Sequence, residues 1–504
     1  MKNGEIMNNL KPPKYSYGRL KVYVNGGWID PPAEEYRSIY DPGLGKIIGE
    51  VPLVTMDFVD EVVEKAYEAY KSWRSLTVPQ RAEYIFKMKY VLEEEKEKLA
   101  RINTQNHGKT IRESRGDLRR SIENVEAAIS TIYTLAKGDY QKDIGKGIDE
   151  TLIREPQGVF TVISPYNFPI MIPFWFIPYA LVLGDTLIVK ASSTTPLPMT
   201  MTLEVISEIL PPGVLNLIYS DHKIGEHLIT HPKVEGTAFV GTSSAALRLY
   251  RQSAECGKRF MGGGSASNYA VIMPDADMKR TVATLRNSKF GNAGQRCLAI
   301  QNIVIIGHTE YERFKDMFIQ AAKMLKIGYG LDEATNMGPM TSKRYMDSVK
   351  SRIEEGLEEG GRLLLDGRDL KVPEYPNGFY LGPTILEEIT PEMKIAREEI
   401  FGPVANLLEA ESLDEAVEWI NGNKYHHSAV IFTQNGGWAR EFMHNVNVGN
   451  VGINIGTAAP VGWFPFGGRR LSGIGSHHPQ IDAVDFFTDR KIAITRWWRR
   501  IESS

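Results

Sequence analysis

In Gly291-Asn292-Ala293-Gly294-Gln295-Arg296-Cys297 a thiol follows two glycines and an arginine, in a chain with only two cysteines. Such a thiol can serve as an activated nucleophile, because a thiolate attacks a carbonyl readily and then leaves as a thioester that a second acceptor resolves. Gly291 and Gly294 permit close backbone approach, Arg296 supplies positive potential that favours the thiolate, and Leu298-Ala299-Ile300 buries the segment. Cys256 has no such setting and reads as structural. Far upstream, Ser164-Pro165-Tyr166-Asn167-Phe168-Pro169 offers a loop amide. Far downstream, Glu398-Glu399-Ile400-Phe401-Gly402-Pro403 offers a carboxylate beside an aromatic ring. Taken singly these have plainer readings: a core cysteine, a turn asparagine, a solvated helix end. Their combination points to chemistry.

Length and composition favour an enzyme of small molecules. The 504 residues, 42% hydrophobic and 24% charged, can bury several cores, about three units by domain-size priors. A net charge of −3 gives no electrostatic footprint for nucleic acid. Two cysteines cannot build a disulfide framework or a four-ligand zinc site, so no metal is expected and a reducing, cytoplasmic setting is. No signal-peptide pattern occurs in residues 1–13. The most apolar region, 163–189, is interrupted by Pro165, Asn167, Pro169, Pro173, Pro178, Gly184 and Asp185, so it reads as buried core rather than a membrane span.

The elements that must position these residues follow from periodicity. From Met56 to about Leu135 apolar residues recur three and four apart, as in Val59, Val62, Val63 and Ala66, which predicts helices. Past a polar segment at 140–150, short apolar runs alternate with helical stretches in a β-α-β rhythm. Strands are expected at 159–164, 186–190, 214–219, 236–240 and 268–273, with helices near 172–183, 199–210, 224–230 and 243–256. Five such strands make one doubly wound sheet, whose ligands sit outside the carboxyl ends, where Asn167, Lys190 and Gly241 fall. A second alternating region runs from about Thr281 to Ile455. The tail from Asp482 to Arg500 is too apolar for a free end and suggests a subunit contact.

With these motifs in order over nearly the whole chain, from Tyr23-Val24-Asn25-Gly26-Gly27-Trp28 onwards, the sequence resembles the aldehyde dehydrogenase superfamily. The absence of G-x-G-x-x-G and of a P-loop fits, since the superfamily lacks that fingerprint. The resemblance implies an α/β fold with a doubly wound parallel-sheet cofactor domain (residues 1–138 and 158–265) and a second α/β catalytic domain (266–477). A small β oligomerisation extension (139–157 and 478–504) would assemble a homo-tetramer or dimer. It also implies roles. Cys297 attacks an aldehyde, while Asn167 and the Cys297 backbone N–H stabilise the oxyanion. Glu399 binds the nicotinamide ribose, Phe401 flanks the nicotinamide, and Lys190 holds the adenosine ribose. Gly241-Thr242 forms the phosphate-approaching turn, and Ser164, Tyr166 and Gly225 complete the dinucleotide contacts.

Two departures matter. The superfamily's usual general-base glutamate falls on Gly263, counting back without gaps from Met273-Pro274-Asp275-Ala276-Asp277. Methylmalonate-semialdehyde dehydrogenases, which the chain resembles most together with archaeal non-phosphorylating glyceraldehyde-3-phosphate dehydrogenases, also lack it and pass the acyl group to coenzyme A. After Lys190, Ala191-Ser192-Ser193 replaces Pro-Ser-Glu. Loss of a carboxylate that would repel a 2′-phosphate predicts NADP as the preferred cofactor, with NAD also accepted. Arg296 and Arg120 are candidates to clamp an anionic substrate tail; Arg120 reads equally as a helix-surface residue paired with Asp117 or Glu123. The favoured reaction is non-phosphorylating oxidation of glyceraldehyde 3-phosphate to 3-phosphoglycerate. Coenzyme A-acylating oxidation of methylmalonate or malonate semialdehyde is the alternative, and a non-catalytic binding paralogue ranks below both.

Overall fold

The computed structural model describes residues 11–476 and 482–498. Residues 1–10, 477–481 and 499–504, which include parts of the expected domain spans and Arg499-Arg500, lie outside the described residues.

Two sheets, each with its own apolar core, make up most of the molecule. The first has eight strands in the order Gly27–Ile29, Val22–Val24, Leu215–Ile218, Thr186–Lys190, Val159–Ile163, Val234–Val240, Arg259–Gly263, Gly473–Gly475. Its five central strands run parallel and are almost wholly buried, as expected for a sheet covered on both faces. The chain begins in the middle at Val159–Ile163, works outward to one side, and then crosses to Val234–Val240 on the other. That reversal creates a crevice outside the carboxyl ends of these two neighbouring strands. Ser164 and Gly241 follow them directly.

The second sheet has seven strands in the order Arg362–Leu365, Thr384–Glu387, Val404–Ala410, Ile300–Ile306, Asn268–Ile272, Ser428–Phe432, Asn450–Ile453, parallel but for the first pair. Asn268–Ile272, expected in the first sheet, is central here, and Arg259–Gly263 takes the place assigned to it. Conversely, Gly473–Gly475 leaves the stretch 266–477 to pair with Arg259–Gly263.

Three helices, Met56–Trp73, Val78–His107 and Ile111–Thr134, pack on the first sheet. The latter two open with capping boxes, Thr77 with Gln80 and Thr110 with Glu113. The single helix expected at 172–183 is two short ones, Met171–Phe174 and Ile177–Leu183, because Pro178 lacks the N–H that continuous winding requires. A separate antiparallel sheet joins Asp139–Gly145, Ile148–Pro156 and Thr488–Arg496. None of the described helices is long and apolar enough to cross a membrane.

Candidate active site

The loop before Cys297 is wound the unusual way. After the Met278–Phe290 helix the chain passes through left-handed Asn292 (φ 55°), Ala293 (φ 49°) and Gly294 (φ 72°). Side chains hold this strained turn. Gln295 donates to the Asn292 carbonyl (3.1 Å) and accepts from the Thr341 N–H (3.1 Å), and the Glu113 carboxylate accepts from the Asn292 N–H (2.6 Å). The same carboxylate pairs with Arg296 at 2.7 Å, which offsets part of the guanidinium charge. Asn268 donates to the Cys297 carbonyl at 2.7 Å.

Cys297 is partly accessible and borders two cavities. One, of about 210 Å³, is lined by Gly262, Gly263, Gly264, His427, Phe466 and the turn after them. The other, of about 290 Å³, is lined by Glu113, Asp117, Arg120, Phe168, Trp175 and Arg296. Burial pushes the thiol up to about 12, Glu399 adds to the shift, and the backbone N–H groups of Cys297 and Leu298, with Arg296, oppose it less strongly. Arg296 favours the thiolate, as expected from the sequence, but burial outweighs it and tips the balance toward the neutral thiol. Cys256 is exposed at a helix end.

Asn167 is buried and donates to the Gln295 carbonyl at 3.1 Å, which fixes its amide beside the loop that carries Cys297. Its own carbonyl accepts from Lys109 (2.7 Å), which forms a fully buried ion pair with Asp117 (3.0 Å). Asp117 accepts in turn from the Met171 N–H at 2.8 Å. This network was not visible in the sequence, and it leaves Arg120 to pair with Glu123 alone of the two expected partners, at 2.7 Å.

The other predicted residues line up along the first sheet's carboxyl edge. Lys190 is buried, and that burial pushes its ammonium down to about 8. The Ser193 hydroxyl accepts from Arg37 at 3.3 Å; Arg37 lies on the Ala33–Asp41 strand and had no signal in the local sequence. Thr242 caps the Ser243–Glu255 helix, and Gly241 donates to the Gly263 carbonyl at 3.0 Å. Tyr166 stacks on Tyr345 with ring centroids 4.4 Å apart and meets Phe401 edge-on at 6.0 Å. Glu399 accepts from the Ala266 N–H (3.0 Å), and burial pushes its carboxyl up to about 7. The fully buried Lys289 opposes that shift.

The sequence model of the aldehyde dehydrogenase family matches residues 28–493. The chain belongs to the aldehyde dehydrogenase family. Among its relatives, a protein of Geobacillus kaustophilus named malonate-semialdehyde dehydrogenase 2 is 37% identical over 481 residues, 95% of this chain and 99% of the relative. A protein of Sinorhizobium meliloti, described as a methylmalonate-semialdehyde dehydrogenase and solved with NAD, superposes with a TM-score of 0.94 at 33% identity, over 97% of this chain and 99% of the other. Methylmalonate-semialdehyde dehydrogenase of Oceanimonas doudoroffii gives a TM-score of 0.93 at 33% identity, over 96% and 99%.

The residues present suit a dinucleotide. A Cβ at Gly225 would sit 3.3 Å from Ile163 and 4.0 Å from the Lys190 side chain, so glycine lets its helix approach the strand ends closely. Ser164 carries a buried hydroxyl with no hydrogen-bond partner among the described residues.

Proposed function

We propose that this aldehyde dehydrogenase oxidises malonate or methylmalonate semialdehyde, with coenzyme A as acyl acceptor. The observation that carries this reading is the position of Cys297 between two cavities, one lined by Arg120 and Arg296 and the other by Gly263, where the general-base carboxylate is missing, with Arg469 and Arg470 also on its wall. The substrate carboxylate lies toward Arg120 and Arg296. Both arginines already face carboxylates, and Glu113 and Asp117 share the cavity wall, so its charge suits a single carboxylate better than a phosphate dianion. Glyceraldehyde 3-phosphate, favoured on the sequence, finds no support among the relatives described above.

Asn167 and the Cys297 backbone N–H receive the developing oxyanion, and the Cys297 sulfur keeps the acyl group as a thioester. The bound dinucleotide supplies the hydride acceptor. Lys190, Ser193, Ser164, Tyr166, Gly225, Gly241 and Thr242 hold its length, while Glu399 and Phe401 orient the nicotinamide end. Ser193 stands in place of a repelling carboxylate and accepts from Arg37, whose guanidinium is also paired with Glu35 at 3.0 Å; the loss of the carboxylate at position 193 supports preference for NADP over NAD. The small antiparallel sheet serves subunit association.

The test is a panel of malonate semialdehyde, methylmalonate semialdehyde, glyceraldehyde 3-phosphate and propanal, each with NAD and NADP, with and without coenzyme A. Expected is the highest kcat/KM for a semialdehyde, dependent on coenzyme A. Coenzyme A-independent turnover of glyceraldehyde 3-phosphate at higher efficiency refutes it, and a large NAD preference refutes the cofactor assignment.

A further inference from the structure

We propose that His427 is the proton acceptor for discharge of the Cys297 thioester, standing in for the carboxylate that Gly263 lacks; this rests on the thioester reading above. His427 borders the same cavity of about 210 Å³ as Cys297 and Gly263. The residue is 4% exposed, and neither ring nitrogen has a hydrogen-bond partner among the described residues, an arrangement rare for a buried polar side chain.

The imidazole is held rather than loose. Phe466 meets it edge-on at 5.1 Å, and a Cβ at Gly468 would come within 2.4 Å of the Ser472 side chain and 2.9 Å of Nδ1, so the turn packs closely on the ring. The His427 carbonyl accepts from the backbone N–H (3.0 Å) and side-chain amide (3.1 Å) of Asn450. One side chain also joins His427 to the nucleophile. Asn268 donates to the Cys297 carbonyl at 2.7 Å and accepts from the Ser428 N–H, next to His427, at 3.0 Å. Burial alone pushes the imidazole down to about 4, so it rests neutral and a proton it accepts is held weakly and passed on rather than retained.

The step balances. As the acceptor thiol adds, its S–H proton goes to a ring nitrogen of His427 and a sulfur lone pair forms the new C–S bond. The bond from the acyl carbon to Cys297 breaks, and its electron pair stays on the Cys297 sulfur. The imidazolium returns its proton to that sulfur, which burial favours as a neutral thiol. Nothing is oxidised or reduced in this half-reaction.

An activated ester isolates the half-reaction, because p-nitrophenyl acetate can acylate Cys297 with no dinucleotide present. In the intact protein a p-nitrophenolate burst equal to the number of sites is expected, with an acetyl adduct on Cys297 by mass spectrometry, followed by coenzyme A-dependent turnover. His427→Asn and His427→Ala should keep the burst and accumulate the adduct, while turnover per burst site falls about 10²-fold or more. Added imidazole should restore part of the rate in His427→Ala. Scaling to burst amplitude counts only folded, competent sites. Unchanged turnover per burst site, or loss of acylation in parallel with turnover, overturns the inference. Absence of both burst and adduct in the unaltered protein overturns the thioester reading itself.

Discussion

Cys297 needs activation at the moment of reaction, because its resting thiol is pushed up to about 12 by burial and by Glu399. The sign gives a prediction: below that value the thiolate fraction rises about tenfold per pH unit, and alkylation follows it. In a Cys256→Ser background, iodoacetamide labelling of Cys297 should be slow at pH 7 and climb with that slope to pH 10; a flat profile means a thiol ionised at rest. Arg120 supports a second prediction. Because it borders the substrate-side cavity while tied to Glu123, Arg120→Ala should raise KM for a semialdehyde carboxylate about tenfold and KM for propanal less than twofold. Equal changes make it a surface residue of its helix. Cys297, Asn167 and Glu399 were legible because each sits in a compact string whose residue types explain one another. Lys109, Arg37 and His427 were not, since Asn167, Ser193 and the Cys297 cavity, which they face, lie far from them in the chain. Glu113 stood between: its capping-box spacing after Thr110 was readable, yet only the fold brings its other oxygen to Arg296 and the Asn292 N–H.

The catalytic loop works as an element clamped against a second element. Gly294 is left-handed, and a Cβ there would lie 2.0 Å from the Gly402 carbonyl, so the Cys297 loop and the Glu399-to-Pro403 loop touch backbone to backbone. Gly294→Ala combines a strained φ with that clash and should destabilise the protein by about 2–4 kcal/mol. Thermal unfolding should show the loss, and kcat should fall with it, because the displaced loop carries both Cys297 and the Gln295 carbonyl that holds Asn167. A variant with unchanged melting temperature refutes the clamp. At this scale most helices and parallel strands could be read from periodicity, but sheet membership could not. Asn268–Ile272 is as apolar as the strands of the first sheet, and a strand buried on both faces carries no mark of which sheet it enters. What decides it is the register with Ile300–Ile306 and Ser428–Phe432, a long-range property.

At the scale of the molecule, Cys297 lies where the two cores meet: Leu298 packs in the first and Ile300 in the second. The small antiparallel sheet belongs to neither main sheet, and its outer strand bears on the last prediction. Thr488–Arg496 pairs on one side with Ile148–Pro156 and is an edge on the other, so its outward backbone groups have no partner strand among the described residues. Ile492 and Ile494, two apart and therefore on one face, are 51% and 68% exposed, and Trp498 just beyond is 83% exposed. An exposed edge that also carries large apolar side chains favours association, because another copy can satisfy the backbone groups and cover the apolar face together. Ile492→Lys combined with Ile494→Lys puts two ammonium groups on that face and removes its apolar area. Sedimentation velocity at micromolar concentration should then shift from an oligomer to a smaller species, with the thermal transition of the two main cores little changed. If the double variant sediments as the unaltered protein does, this face meets water, and association runs through another surface.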